Sequence, residues 1–392
     1  MIINDKRALA YTARCGKIEK IEGADNIELM SVLGWKVITK IGEFHEGDLC
    51  VYFEIDSKLP EKEWSEFMAS KKYKVKTMKL GKFKVISQGL ALPLSVFDVK
   101  IPNEEGVDVT DLLGVTYAVE EDNARKSNKA NKDKKYQSMA ARHAKLFKKK
   151  PFRWLMRREW GRKLLFMFFG KKRDNPRDWP THFPYIHKTD EERCENLPWV
   201  LGYERPLIVT EKLDGTSSTY ILERKGQNKY EFYVLSRNVR QADENQACYH
   251  DHNIYWDMAF KYNIENKLMG YLQRYPDVNY VCIQGESVGS VQGNPLKLKE
   301  DQFFAFNFID SVHGRFDSCT GRDICHLMDI PWVPILDTNY MMPTDMEEFK
   351  QFATAKSVVN PNVMREGIVL RDPTNDFSFK NVSREYLLKH NG

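Results

Sequence analysis

One lysine in the sequence is placed to do covalent chemistry, because it lies in the string Glu211-Lys-Leu-Asp-Gly-Thr216. The string follows the apolar stretch Pro206–Val209, so we expect Lys212 to lie at the end of a β-strand. A neutral lysine amine is a nucleophile that can form a covalent intermediate. Lys-x-Asp-Gly is short, however, and taken alone it favours a hairpin turn with an exposed lysine.

Five more strings follow this lysine, and their order carries the information. They are Leu235-Ser-Arg-Asn238, Gln284-Gly-Glu-Ser-Val-Gly289, Phe303-Phe-Ala-Phe-Asn-Phe308, Arg365-Glu-Gly-Ile-Val-Leu370 and Ser378-Phe-Lys-Asn-Val-Ser383. Together with the lysine string they resemble, in order, motifs I, Ia, III, IIIa, IV and V of the covalent nucleotidyltransferases. This class comprises ATP-dependent RNA and DNA ligases and mRNA capping enzymes. Independent coincidence of all six strings is very improbable.

The N-terminal strings narrow the resemblance to the Deinococcus-type RNA ligase family, which has an OB domain at its N-terminus. They are Gly23-Ala-Asp-Asn-Ile-Glu-Leu29, Gly34-Trp35, Gly42-Glu-Phe-x-x-Gly-Asp48, Glu54-Ile-Asp-Ser57 and Ser87-Gln-Gly-Leu-x-Leu-Pro93. Lys188-Thr-Asp-Glu-Glu-Arg193 and Gln292-Gly-Asn294 also match this family. DNA ligases and capping enzymes carry an OB domain after motif V, whereas only 12 residues follow Lys380 here.

The resemblance implies a role for each matched site residue. Lys212 is the expected nucleophile toward the α-phosphate of ATP, and Lys380 is the expected catalytic contact to that phosphate. Arg237 and Glu286 are expected to hold the ribose and phosphate region, and Phe306 to line the adenine pocket. The implied ATP-binding residues are Glu211, Lys212, Asp214, Gly215, Arg237, Glu286, Phe306, Glu366 and Lys380. The implied metal ligands, for Mg²⁺ or Mn²⁺, are Glu366 and Glu286.

The nucleophile must lose a proton before it can react. A free lysine has a pKa of roughly 10.4, so a nearby positive charge or desolvation has to lower it. Lys380 and the metal are the expected positive neighbours of Lys212. Motif V in many relatives reads Lys-x-Lys, whereas this chain has Ser378-Phe-Lys380, so one of the two usual phosphate contacts is in doubt.

The elements that position these residues predict an α+β protein. Gly-punctuated, β-branched segments near the N-terminus predict an OB-type β-barrel. The later motifs predict a nucleotidyltransferase (adenylyltransferase) domain built on antiparallel sheets with flanking helices. Its expected strands are Leu207–Glu211, Ser217–Leu222, Tyr230–Ser236, Tyr280–Glu286, Phe303–Ile309 and Gly367–Arg371. Thr189 and Glu192 have the spacing of a capping box, which predicts a helix there. We expect an OB-fold domain over 1–117, a basic insert over 118–180 and the nucleotidyltransferase domain over 181–392.

The charge distribution indicates an anionic partner. The whole chain has a net charge of +5, but 19 Lys or Arg against two acids between 125 and 173 leave that segment at +17 and the remainder at −12. Within it, Phe152–Phe169 fits a basic amphipathic helix that could contact nucleic acid, the next domain or a membrane. Seven lysines between 71 and 84 predict a strand with a basic face, suited to a nucleic-acid backbone or to a solvated sheet edge.

The resemblance implies a reaction in three steps. Lys212 is adenylylated, AMP passes to a 5′-phosphate, and a 3′-OH attacks with release of AMP. The expected substrate is a nicked duplex whose 3′-OH strand is RNA, and we expect a monomer. An ATP-dependent DNA ligase or other nucleotidyltransferase, or a non-catalytic nucleic-acid-binding module, remains an alternative.

The cysteine spacing and the apolar segments of the sequence indicate the expected compartment. The seven cysteines include no Cys-x-x-Cys pair, so a zinc ribbon and a disulfide framework are not expected. There is no apolar signal-peptide core, and the apolar run Leu164–Phe169 has six residues where a bilayer needs roughly 20. We therefore expect no membrane association and a cytoplasmic location, which for a viral protein is the host cytoplasm.

Overall fold

The computed structural model describes residues 1–3, 6–81, 83–118, 189–226, 229–237, 239–241, 252–374 and 377–390, with isolated positions between 152 and 186. Apart from those positions, the predicted basic segment 125–173 and its helix Phe152–Phe169 lie outside the described residues. Within the described residues, no helix combines the length and the apolar character that crossing a membrane requires.

The N-terminal part is built mainly from short strands. Its elements are β1 (Ile2–Ile3), β2 (Lys6–Arg7), β3 (Ala10–Lys20), β4 (Ile27–Val32), β5 (Trp35–Lys40), β6 (Leu49–Phe53), β7 (Ser57–Lys58), a 3₁₀ helix (Glu63–Lys71), β8 (Met78–Leu80), β9 (Val85–Ser87), β10 (Leu90–Pro93), a 3₁₀ turn (Leu94–Val96), α1 (Thr110–Leu113) and β11 (Thr116–Tyr117). The main sheet is antiparallel, in the order β10-β6-β3-β4-β5.

A bend in β3 curls this sheet into a barrel. The first half of β3 pairs with β6, the second half pairs with β4, and the register shifts between Cys15 and Ile18. Buried and half-buried positions alternate along β4 and β5, as expected for strands with one face in a core. Trp35 and Tyr52 stack at 5.9 Å inside the barrel. The predicted OB-type barrel is confirmed.

The prediction of one lysine-bearing strand between 71 and 84 was wrong. The segment begins at the end of the 3₁₀ helix Glu63–Lys71, turns through Lys72 and Tyr73 at positive φ, and then forms the short hairpin β8–β9. Strand propensity correctly predicted β8. It did not reveal the turn, which needs two consecutive residues in the left-handed conformation. Lys71, Lys72, Lys76, Lys79 and Lys84 are nevertheless all exposed.

The C-terminal part contains two antiparallel sheets and flanking helices. Its elements are β12 (Glu192–Arg193), 3₁₀ turns (Cys194–Asn196 and Pro198–Val200), β13 (Leu207–Lys212), β14 (Thr216–Gly226), β15 (Lys229–Ser236), β16 (Arg240–Gln241), α2 (Ile254–Lys261), α3 (Ile264–Arg274), β17 (Tyr280–Val288), β18 (Gln302–Asp310), β19 (Gly314–Arg315), α4 (Ser318–Leu327), β20 (Ile335–Tyr340), α5 (Met346–Phe352), β21 (Gly367–Arg371), β22 (Ser378–Val382) and α6 (Arg384–His390). The strands predicted from the motifs are all present, within two residues at most ends except that β14 continues to Gly226.

The two sheets divide the motifs between them. One sheet has the order β12-β22-β21-β13-β20, with only β12 parallel to its neighbour, and the other has the order β16-β15-β14-β17-β18-β19. Helices α2 and α3 pack on the second sheet and share its apolar core with Tyr220, Phe303 and Phe308. The chain passes from the first sheet to the second directly after Lys212, so the lysine lies where the sheets meet.

The helix predicted at Thr189–Glu192 was wrong. Thr189 lies 3.2 Å from the Ser217 hydroxyl, and Glu192–Arg193 form β12, which pairs in parallel with Phe379 and Lys380. Pairing with an edge strand satisfies backbone groups that the capping box would have satisfied in a helix. The consequence is that the acidic residues of this segment enter the site described below.

The N-terminal barrel packs against the C-terminal part through buried polar contacts. Asn196 accepts hydrogen bonds from Tyr11 Oη at 3.0 Å and Trp35 Nε1 at 2.7 Å, and it donates to Glu54 at 2.7 Å. The backbone N–H of Gly34 donates to Glu195 O at 2.8 Å. Val382 and Leu387 belong to the same apolar cluster as the barrel core.

Gly34→Ala is expected to destabilise the protein, because a Cβ there would lie 2.8 Å from Glu195 Cα and 2.9 Å from Glu195 O. Both contacts are with backbone atoms, which cannot move without separating the barrel from the C-terminal part of the chain. We expect a loss of about 1–3 kcal/mol in the free energy of unfolding, measured by chemical denaturation. Gly270→Ala in α3 is the matched control, because nothing lies within 4 Å of its Cβ. That control should be stabilising by about 0.5–1 kcal/mol. Equal stability of the two variants would contradict the close docking at Gly34.

Candidate active site

Lys212 forms an ion pair with Glu366 at the junction of the two sheets. Lys212 ends β13 and lies opposite Gly367 of β21, which places Glu366 beside it. The distance from Lys212 Nζ to Glu366 Oε2 is 2.7 Å. Both side chains are largely buried, with 25% and 15% exposure, so the pair lies inside a pocket.

The carboxylates beside Lys212 make its immediate environment negative, whereas the expected positive neighbours were Lys380 and a metal. Burial lowers the pKa of Lys212, but Glu366 and Glu286 outweigh burial, and the pKa is raised above its usual value. Lys380 does not set the pKa of Lys212, because Glu366 is in direct contact with the Lys212 amine. A raised pKa keeps Lys212 protonated at neutral pH, so it must lose a proton before it reacts.

Glu286 and Glu366 fit the predicted divalent-metal site. Burial raises the pKa of Glu286 to about 8, and the nearby Glu366 carboxylate adds to this shift. Burial also raises the pKa of Glu366, and Asp214 adds to that shift. A cation between them would relieve this repulsion. No group of three or more His, Cys, Asp or Glu side chains among the described residues is arranged as a metal site. Mg²⁺ at nucleotide sites needs only one or two carboxylates, with phosphate and water oxygens completing its shell.

The turn after Lys212 is held by steric and polar contacts. A Cβ on Gly215 would lie 2.3 Å from Ser287 O, so the turn can approach β17 this closely only with glycine. Asp214 accepts a hydrogen bond from Tyr386 of α6. Burial raises the pKa of Tyr386, and Asp214 raises it further. These contacts fix the direction in which Lys212 enters the pocket.

Lys380 and Arg237 meet at one carboxylate, that of Asp190. Asp190 Oδ1 lies 3.2 Å from Lys380 Nζ, and Asp190 Oδ2 lies 2.7 Å from Arg237 Nη2. Burial lowers the pKa of Lys380 to about 8, although Asp190 opposes the shift. Positive charge on Arg7 and Arg193 lowers it further. Lys380, the predicted phosphate contact, therefore loses its positive charge at a lower pH than an ordinary lysine does.

Phe306 and Arg371 form one wall of the pocket. Phe306 is half-buried, and the Arg371 guanidinium lies 5.7 Å from its ring centroid. Arg371 also donates to Asn307 Oδ1 at 2.9 Å and pairs with Glu191 at 3.2 Å. Ser378 is the register partner of Arg371 and donates to the same Glu191. Arg371 therefore supplies positive charge beside the position where the first motif V lysine is missing.

Glu211 is buried next to the nucleophile. Its Oε2 accepts a hydrogen bond from the Val358 N–H at 2.8 Å. Its Oε1 has no hydrogen-bond partner within the part of the chain that the structure describes. A buried acceptor in this state is suited to receive a donor from a bound molecule.

These side chains line one cavity of about 560 Å³, a volume typical of small-molecule sites. The cavity brings together every predicted site residue: Glu211, Lys212, Asp214, Gly215, Arg237, Glu286, Phe306, Glu366 and Lys380. The barrel contributes Arg7, Asp56 and Tyr117 to the same cavity. Two domains that are separate in sequence therefore share one pocket.

Sequence reasoning missed Asp190, Glu191, Arg193 and the barrel residues. The string Lys188-Thr-Asp-Glu-Glu-Arg193 had matched the family, but it was interpreted as a helix start. Arg193 lies 3.2 Å from Asp56, so this segment contacts both the barrel and the pocket. Two features of this string could have indicated a site: its similarity to the family and its three consecutive acidic residues.

The fold and this pocket are those of a nucleotidyltransferase domain, with a strand-end lysine and two carboxylates where two mainly antiparallel sheets meet. Residues 205–385 match the RNA ligase family, and residues 9–94 match an OB-fold domain. The C-terminal part of the chain is therefore similar to the RNA ligase family, and the N-terminal part is similar to an OB-fold domain.

Solved structures of an RNA ligase from Naegleria gruberi are similar over the full chain. The one with PPi is 27% identical, covers 98% of this chain and 99% of that chain, and has a TM-score of 0.70. A variant with ATP and Mn is 27% identical with 98% coverage of both chains and a TM-score of 0.69. Another variant, with AMP and Mn, is 26% identical, with 98% and 99% coverage and a TM-score of 0.70. No curated protein matches the chain in sequence.

Proposed function

We propose that this protein is an ATP-dependent ligase that seals 3′-OH/5′-phosphate nicks in duplexes whose 3′-OH strand is RNA. The observation that carries the proposal is Lys212, paired with Glu366 at 2.7 Å in a cavity that also contains Arg237 and Lys380. The match of residues 205–385 to the RNA ligase family supports the reaction class. The similar Naegleria structures with ATP, AMP, PPi and Mn support the choice of nucleotide and metal.

In the first step, the Lys212 amine attacks the α-phosphorus of ATP. A P–N bond forms, the P–O bond to the β-phosphate breaks, and pyrophosphate leaves with that electron pair. Lys380 and Arg237 stabilise the negative charge that develops on the α-phosphate oxygens. The product is lysyl-AMP at Lys212.

The proton on Lys212 has to pass to solvent water before this attack. Glu366 accepts a hydrogen bond from the amine and holds it in the pocket. A divalent cation held by Glu286 and Glu366 would neutralise phosphate charge and offset the carboxylates that keep Lys212 protonated.

The adenosine part of ATP is proposed to lie against Phe306 and Glu211. The half-buried ring of Phe306 offers a surface for the base, and Glu211 Oε1 is a buried acceptor without a partner among the described residues. An exocyclic amine is the donor that such an oxygen would accept from.

Two further steps complete sealing. The 5′-phosphate of the nick attacks lysyl-AMP, which frees Lys212 and forms an adenylylated end. The 3′-OH then attacks the 5′-phosphorus, a phosphodiester forms, and AMP leaves. One chain suffices in this proposal, because every site residue comes from the same chain.

A nick-sealing assay tests the substrate. RNA or DNA is placed separately on the 3′-OH side, the 5′-phosphate side and the template of a nicked duplex. We expect sealing only where the 3′-OH strand is RNA, because a duplex end with a 2′-OH differs in shape and hydrogen bonding. Equal sealing with a DNA 3′-OH strand would favour the DNA ligase alternative. Labelling of the protein by GTP rather than ATP would favour a guanylyltransferase.

Duplex binding is proposed to use a lysine surface, which we define as Lys71, Lys72, Lys76, Lys79 and Lys84. Phe67, in the 3₁₀ helix that ends at Lys71, is also exposed, with 59% of its area accessible. The segment that carries these lysines is hydrogen-bonded to a residue of the cavity, because the backbone N–H of Asp56 donates to Val75 O at 3.0 Å. Lysines with an exposed aromatic ring suit a nucleic-acid backbone.

The double variant Lys76→Glu/Lys79→Glu is expected to weaken binding of a nicked duplex by about tenfold or more at low salt. It should also reduce the slope of log affinity against log salt, by roughly one for each lysine that contacts a phosphate. Adenylylation of Lys212 should be unchanged, because neither lysine lines the cavity. Lys225→Glu/Lys229→Glu, at exposed positions of β14 and β15, is the control, because it makes the same change in net charge away from the lysine surface. If the two variants bind equally well, the lysine surface is only a solvated face.

A further inference from the structure

Asp190 occupies the place between the two cations that the proposed reaction assigns to a phosphate. Its two carboxylate oxygens contact two different side chains, Lys380 at 3.2 Å and Arg237 at 2.7 Å. Lys380 is buried, whereas Arg237 is about half exposed at 49%. One anion therefore joins a fixed cation at the bottom of the pocket to a more exposed cation at its rim.

The surrounding charges explain why an anion is held there. Arg7, Arg193 and Lys212 also act on Lys380, and each of them lowers its pKa. Such a concentration of positive charge in a partly buried pocket requires a counter-ion. Burial opposes ionisation of Asp190, but Lys380 and Arg237 outweigh burial and hold the pKa of Asp190 well below its usual range. Asp190 is therefore negative throughout the neutral pH range.

A carboxylate and a phosphate satisfy this pair of cations in the same way. Both present two oxygens about 2.2–2.5 Å apart, and both accept charge-assisted hydrogen bonds from lysine and arginine. They cannot occupy the position together, because like charges in contact repel strongly in a partly buried site. Binding of a phosphate by Lys380 and Arg237 therefore requires Asp190 to give up at least one of its contacts.

We propose that Asp190 is the internal counter-ion of the phosphate-binding cleft and that a phosphate of the substrate displaces it. The inference rests on the proposed function for the identity of that phosphate, but the competition itself concerns any polyphosphate anion. Asp190 keeps Lys380 and Arg237 close together in the nucleotide-free protein, at the cost of weaker phosphate binding. Its neighbour Glu191 pairs instead with Arg371, so the two adjacent acids serve different cations.

The variant Asp190→Asn tests the competition, since it removes the charge and keeps the shape. The probe is inorganic pyrophosphate, titrated calorimetrically into the full-length protein without divalent metal. We expect its dissociation constant to fall by about tenfold relative to the unaltered protein, because a like charge no longer opposes the anion. Asp190→Glu, which restores the charge, should return the affinity toward that of the unaltered protein.

The matched control is Glu231→Gln, which removes one negative charge from a pair with Arg240 at 3.3 Å, away from the cavity. That variant should bind pyrophosphate as the unaltered protein does. Unchanged or weaker binding by Asp190→Asn, in a protein with an unchanged melting temperature, would overturn the proposal and make Asp190 an anchor of the two cations.

A kinetic readout separates displacement from a purely structural role. In lysyl-AMP formation, Asp190→Asn should lower KM for ATP without raising kcat, whereas loss of an anchor should lower kcat and raise KM. Labelling of the unaltered protein by ATP tests the proposed function independently. If that labelling fails while Asp190→Asn still binds pyrophosphate more tightly, the counter-ion proposal stands and the ligase proposal falls.

Discussion

Lys212→Ala is expected to abolish formation of lysyl-AMP and all sealing that starts from ATP and an unadenylylated 5′-phosphate. The amine is the nucleophile of the first step, and alanine offers no group that can form the covalent bond to the α-phosphorus. The measurement is incubation with radiolabelled ATP, followed by denaturing electrophoresis. Binding of a nicked duplex should persist, because the lysine surface of the barrel is unchanged.

The chain offers a control with the same chemical change. Lys225 pairs with Glu223 at 2.6 Å on β14, a geometry close to that of Lys212 and Glu366, but it lies outside the cavity. Lys225→Ala should therefore be labelled by ATP as the unaltered protein is. Residual sealing by Lys212→Ala from an unadenylylated nick would contradict the assignment of the nucleophile.

Lys380→Ala is expected to lower the rate of lysyl-AMP formation by about 10²–10³-fold, the usual effect of removing one preorganised donor from a developing oxyanion. The variant should still fold, because alanine is small and Lys380 lies at the pocket surface of β22. The measurement is single-turnover labelling with ATP, which isolates the first step from later ones. A loss of less than about threefold would show that Lys380 does not contact the reacting phosphate.

The same lysine predicts a pH dependence with a defined sign. Burial lowers the pKa of Lys380 to about 8, so its positive charge is complete well below pH 8 and is lost as the pH rises through that value. Binding of α,β-methylene-ATP, whose α–β bridge cannot be cleaved, to the protein with Lys212 intact should therefore weaken between pH 7 and pH 9. Adding Lys380→Arg should reduce this weakening, because arginine keeps its charge over the whole range.

Glu286 changes charge in the same pH range and must be separated from Lys380. Burial raises the pKa of Glu286 to about 8, so it becomes negative as the pH rises and also opposes ATP. The part of the pH dependence that disappears in Lys380→Arg belongs to Lys380, and the part that remains belongs to Glu286. An identical fall in affinity with and without Lys380→Arg would exclude titration of Lys380.

Local patterns predicted the elements well where burial and strand propensity agreed. The six motif strands from Leu207 onward were identified because apolar and β-branched residues dominate them and turn residues bound them. The two local errors came from segments whose conformation depends on a partner. Glu192–Arg193 became a strand because β22 lies beside it, and the lysine-rich segment turns at Lys72 and Tyr73.

The sequence by itself determined only the motif residues of the pocket, through the order of the motifs, the lysine at a strand end and the glycine of the following turn. These depend on residues that are near one another along the chain, and a strand fixes the direction of its side chains. Only the tertiary structure decided the electrostatics. Lys212 meets Glu366 across 154 residues through the pairing of β13 with β21, so the amine has a carboxylate rather than a cation as its nearest partner. Asp190, between Lys380 and Arg237, and Arg7 of the barrel reach the pocket only through sheet pairing and domain packing, which no local spacing specifies.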